Sequence, residues 1–188
     1  MTALASTLSQ HGFWITSRAA GFAALLTSSA AVGVGLSMGG KLIKARTADL
    51  RVLHESLSLA TLVALVIHAA SLLGDSFLHP SVADLTVPFA SGYQRWWMAA
   101  GIVGGWMLLA LGLSYYARAR IGVQRWRSLH RFTALAWLLG VAHSLGQGTD
   151  AGGTWFLVST GLVVLPALAL LALRLGQRPA AATTPARS

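Results

Sequence analysis

Residues 51–73 read RVLHESLSLATLVALVIHAASLL. After Arg51 the only ionisable side chains in this stretch are His54, Glu55 and His68. A run of about 20 mostly apolar residues is what crosses the hydrocarbon of a bilayer as a helix. A second stretch answers it, residues 127–146, RSLHRFTALAWLLGVAHSLG, with His130 and His143. Ionisable side chains inside a membrane are costly and mark function. The reading of the chain therefore turns on what four imidazoles could hold.

The rest of the chain follows the same composition. Its 188 residues are 55% hydrophobic and 10% charged, too few charges to cover a soluble domain. Five apolar runs are expected to span, over about 14–38, 52–73, 96–116, 129–146 and 154–173. The fold class is thus an all-α integral membrane protein, a bundle of five transmembrane helices. The first run is rich in Gly, Ala and Ser, which lets helices approach closely. Pro166 is expected to kink the last. Trp96–Trp97 and Tyr115–Tyr116 bracket the third as interfacial aromatics. A short interfacial helix is expected around 81–88. Residues 1–13 form a short outer segment without Lys or Arg, so a cleaved secretory signal is not expected. Residues 14–174 form the membrane domain. Residues 175–188 are a Pro/Ala/Thr-rich tail, expected to be disordered and cytoplasmic.

The formal net charge of +9 does not point to nucleic acid, because the charges sit in loops between spans. Twelve of the 14 Lys and Arg fall in residues 39–51, 117–131 and 174–188; Arg18 and Arg95 lie opposite. That positive-inside asymmetry puts the N-terminus outside and the C-terminus in the cytoplasm. Twelve Arg against two Lys, with abundant Ala, Leu and Gly, suggests a bacterial cell membrane. The chain has no cysteine, which excludes thiolate catalysis and Cys-ligated metals. Five acidic residues are too few for a hard-cation cage.

Spans two and four run in the same direction, so His54 is level with His130 and His68 with His143. Fourteen residues separate His54 from His68, about 21 Å along a helix and within about 40° of one face. Thirteen separate His130 from His143, which leaves them roughly 140° apart on an ideal helix. Either that helix deforms, with Gly140 as one place for it, or its ligands approach from different sides. Facing imidazoles suit the two axial positions of a haem iron. Arg51 and Arg127 stand three residues before His54 and His130, where cations could meet propionates; Arg18 and Arg95 are the candidates for the other pair, with Tyr93, Ser144 and Gln147 as weaker partners. Trp137 lies midway between His130 and His143 and reads as packing or as an inter-haem residue. Two other readings stay open: hydrogen bonding of each His to a neighbouring helix, and a proton-conducting or scaffolding protein without haem. Glu55 is the one acid inside a span and lies off the His54 face.

These residues resemble the ferric-reductase-like transmembrane domain, shared by NADPH oxidases, ferric reductases and the haem-binding subunit of the methionine sulfoxide reductase system. The resemblance rests on His54 and His68, on His130 and His143 within RWRSLHRFTALAWLLGVAH, and on the loop GDSFLHPSVADLTVPFASGY. It covers about residues 14–173. It implies two b-type haems, His54 and His130 ligating the inner iron and His68 and His143 the outer one. It also implies electrons passing outward to an acceptor that the outer loops leave undefined. Two departures are visible: five runs where the full-length oxidases have six, and no glycine-rich dinucleotide fingerprint. The donor is accordingly expected to be a separate cytoplasmic flavin reductase, or a quinol feeding a periplasmic oxidoreductase.

Overall fold

The computed structural model describes residues 2–40, 47–75, 79–147 and 150–177. Lys41, Lys44 and Arg46 of the basic loop, and the tail beyond Gln177, lie outside the described residues. Every regular element among the described residues is helical: α1 (Thr2–Gly40), α2 (Thr47–Leu72), α3 (Val82–Thr86), α4 (Arg95–Leu113), α5 (Arg118–Ile121), α6 (Val123–His130), α7 (Thr133–Gln147) and α8 (Thr154–Gly176). The first expected span is the inner part of a longer helix, since α1 continues through residues 2–13.

Four helices are long and apolar enough to cross a membrane: within α1 (His11–Gly39), α2 (Ala48–Leu72), α4 and α8. The chain is a multi-pass membrane protein. Its exposed surface agrees: Val63 is 58% exposed, Leu162 72% and Leu165 65%, an apolar exterior that water would not tolerate and lipid does.

The fourth expected span requires correction, because 129–146 is not one helix. α6 ends at His130, residues 131–132 turn, and α7 begins at Thr133. The physical reason is local competition for backbone groups. The Thr133 hydroxyl donates to the His130 carbonyl at 2.7 Å, and Phe132 N–H reaches Leu129 O at 2.9 Å while Ala134 N–H reaches Arg131 O at 3.3 Å. Those i−3 bonds are the tighter winding of a 3₁₀ turn. α7 alone has 15 residues, about 22 Å at helical rise, shorter than the other spans. Gly140 lies inside α7 and breaks nothing.

α1 is the central helix and packs on α2, α7 and α8, while α4 packs on α7. The core joins Leu25 of α1, Trp137 and Val141 of α7, and Phe156, Val164 and Ala167 of α8. Phe22 adds edge contacts to Trp155 and tilted contacts to Phe156, with centroids 5.4 and 5.7 Å apart. α8 runs unbroken through Pro166, which removes one N–H from its ladder. Across the bundle, Arg18 pairs with Asp150 and stacks over Trp14 at 4.1 Å. Arg174 closes the other end, its guanidinium donating to Leu36 O at 3.2 Å.

The short helix expected around 81–88 is α3. Its N-cap is Ser81, and Asp84 completes a capping box with it, each side chain satisfying a backbone N–H of the other. The Ser81 hydroxyl, with its backbone N–H, holds the Asp84 carboxyl below the usual carboxylate range. This segment lies against α4, where Trp106 Nε1 donates to Thr86 O at 2.8 Å.

Candidate functional site

The helices bring the four histidines together two by two. His54 of α2 meets His130 of α6, ring centroids 6.2 Å apart and planes at 81°. His68 of α2 meets His143 of α7 at 6.3 Å and 77°. α2 packs closely on α1 and α4 on α7, whereas α2 and α7 do not pack along their length. The imidazoles of α2 therefore face those of α6 and α7 across the line where these helices do not pack.

The break between α6 and α7 takes up part of the thirteen-residue mismatch. A 3₁₀ turn advances about 120° and 2.0 Å per residue, against 100° and 1.5 Å in an α-helix. Each tight residue recovers about 20° of the missing rotation, so three recover about 60° of the roughly 140°. Three such residues also lift a thirteen-residue path to roughly 21 Å, the rise of the fourteen-residue path on α2. Both walls thus present their histidines at matching heights.

Behind the rings a repeated set of backbone acceptors orients them. His54 Nδ1 donates to Ala31 O at 2.9 Å, His68 Nδ1 to Ser17 O at 2.8 Å, and His143 Nδ1 to Trp97 O at 2.9 Å. A carbonyl can only accept, so these three rings carry their proton on Nδ1 and keep the Nε2 lone pair. That is the tautomer a metal-ligating imidazole needs. The exception is His130, whose buried Nδ1 closes no hydrogen bond; its backbone neighbour there is Leu111. His130 instead stacks against Trp126, centroids 4.9 Å apart. Trp126 is held in turn by its Nε1 donating to Ser114 Oγ at 3.2 Å.

Glycines give the rings their room. A Cβ at Gly21 would come within 2.9 Å of His68, one at Gly35 within 3.1 Å of His54, and one at Gly101 within 2.5 Å of His143. The pattern is antiparallel and regular. Ser17 and Ala31, and Gly21 and Gly35, are each fourteen residues apart on α1, as are His68 and His54 on α2. Trp97 and Leu111 repeat the interval on α4.

The other expected residues divide. Arg51 and Arg127 are exposed on α2 and α6, in the turns that lead to His54 and His130. Arg18 is engaged by Asp150, and Arg95 lies 5.9 Å from the Phe89 ring. Trp137 is 1% exposed and donates to Ser29 Oγ at 2.9 Å; it belongs to the core between α1, α7 and α8. Sequence reasoning missed Ser17, the three glycines and Trp126. Trp126 could have been found, since it precedes His130 by one helical turn. The fourteen-residue repeat on α1 becomes meaningful only once α1 is known to pack on α2.

Among the described residues no three His, Asp or Glu side chains converge. Among those residues the site offers two imidazoles per level and no third His, Asp or Glu. Comparisons of the chain with family models, with curated proteins and with solved structures return no match.

Proposed function

We propose that each imidazole pair holds a b-type haem and that the protein is a transmembrane electron conduit of the ferric-reductase-like kind. The observation that carries this reading is the separation within each pair. Two imidazoles with ring bonds of about 1.33 Å, bound on opposite sides of one metal at about 2.0 Å, have centroids roughly 6.3 Å apart. The pairs stand at 6.2 and 6.3 Å.

The donor set supports haem over a bare ion. Structural zinc takes four ligands and catalytic zinc three from the protein, whereas haem brings four nitrogens of its own and asks the protein for the axial positions. A flat group would sit between the facing imidazoles of α2 and those of α6 and α7. When bound, haem supplies the one-electron carrier; the protein supplies binding, orientation and dryness. His54, His130, His68 and His143 are the ligands. The carbonyls of Ala31, Ser17 and Trp97 fix the rings of His54, His68 and His143. Arg51 and Arg127, exposed one turn before His54 and His130, would meet the propionates of the haem at the 54/130 level.

Charge distribution supports an N-terminus outside, a C-terminus in the cytoplasm and five crossings, with α7 as the short fifth member. The 54/130 level then faces the cytoplasm, where a flavin reductase or quinol would donate, and the 68/143 level faces an outer acceptor. Because the chain has no cysteine, single cysteines report this directly. A83C in α3 is expected to react with an impermeant maleimide on intact cells, and Q124C in α6 only after permeabilisation. The reverse pattern inverts the assigned direction.

The decisive test is the purified protein from haem-supplemented cells. A reduced-minus-oxidised b-type spectrum and close to two haems per chain are expected; a colourless protein sinks the proposal. Gly101→Ala should lower haem content toward one per chain, because the new methyl overlaps the His143 ring. Gly105→Ala, one turn along α4 with open space at its Cβ, should keep both.

A further inference from the structure

The two levels are matched on α1 except for one oxygen atom. Position 31 offers His54 its carbonyl at 2.9 Å. Position 17, fourteen residues earlier, offers His68 its carbonyl at 2.8 Å and also its side chain, Ser17 Oγ lying 3.0 Å from His68 Nδ1. The Ser17 hydroxyl spends its own proton on His68 O at 3.0 Å. Its lone pairs are therefore turned to the Nδ1–H, which is shared between two acceptors. Ser17 is 2% exposed and Ala31 6%, so water replaces neither partner.

Acceptors on the outer nitrogen of a ligating imidazole raise its basicity and the electron density it gives the metal. We infer that Ser17 is a positioning residue that makes His68 a stronger donor than His54, setting the potential of the 68/143 level below the value its carbonyls alone would give. The inference rests on the haem reading. It concerns the α1–α2 wall only, since His130 differs from His143 for separate reasons.

The test is a redox titration of the purified protein followed at the haem bands. Ser17→Ala should raise one of two midpoint potentials and leave the other in place. The expected size is about tenfold in the reduction equilibrium, the low end for partners behind a metal ligand, or about 59 mV for one electron. Ser17→Thr, which keeps the hydroxyl, should restore the original value. Ala31→Ser, which builds the missing oxygen at the other level, should lower the second potential and spare the first. If S17A instead sheds one haem while S17T retains it, the hydroxyl is again assigned to that level. Two unmoved potentials in S17A, a joint shift of both, or loss of haem in S17T as well would overturn the inference. A wild-type protein with two haems and an inert S17A rejects the role of Ser17 alone; a wild-type protein without haem rejects the underlying reading.

Discussion

Replacing His68 by Ala is expected to remove one haem of two, halving the b-type absorbance per chain, and His143→Ala is expected to do the same. The reason is the two-ligand geometry. Each level has one imidazole from either wall, and among the described residues no third His, Asp or Glu joins either pair. Partners behind a metal ligand contribute 10- to 100-fold in affinity, so loss of the ligand itself should exceed that range. His54→Ala and His130→Ala should each remove the other haem. Paired substitutions sharpen the test. H54A with H130A disables one level and should leave one haem. H54A with H143A disables both and should leave none. Equal haem content in the two double variants would show that the histidines do not act in the pairs seen here. Circular dichroism checks that the helices persist, since exposed faces of α2 depend little on its imidazoles.

The second large effect is on stability. Trp137→Ala should destabilise the protein by about 3–5 kcal/mol, the range for deleting a buried large aromatic. The indole is 1% exposed and central to the cluster of Leu25, Val141, Phe156, Val164 and Ala167, and its removal also takes one donor from Ser29 Oγ, which keeps its own bond to Leu25 O. Trp137→Phe keeps most of the volume and loses the bond to Ser29 Oγ, about 0.6 kcal/mol on average within membranes. Unfolding in mixed detergent followed by helicity should therefore rank W137A far below W137F, with W137F near wild type. A residue that served chiefly between two cofactors would show the opposite: intact stability in both variants and slowed electron transfer in both.

Much of the site was legible because helical geometry is predictable over one element. His54 and His68 belong to an uninterrupted helix, so their rise and facing followed from counting. His130 and His143 did not, because counting assumes a regular helix. The turn at 131–132 depends on whether the Thr133 hydroxyl and the i−3 bonds outcompete the α-helical ladder, a balance that counting along the chain does not weigh. The arginines divide on the same principle. Arg51 and Arg127 are tied to their histidines by local spacing, whereas Arg18 meets Asp150, 132 residues away in sequence. The Trp137 reading turned on which way one side chain points, and it points into the core.

What the sequence determined alone was the solvent and the levels. Apolar runs with most of the charges in the loops require a bilayer, because backbone groups in hydrocarbon must be satisfied within helices. Alternating helix direction then puts His54 opposite His130 and His68 opposite His143. What tertiary structure decided was everything behind the imidazoles: the carbonyls of Ser17, Ala31 and Trp97, the glycines that admit the rings, and the second oxygen at Ser17. Those depend on the rotation and offset of one helix against another. Interhelical packing sets both, and no count along a single helix contains them.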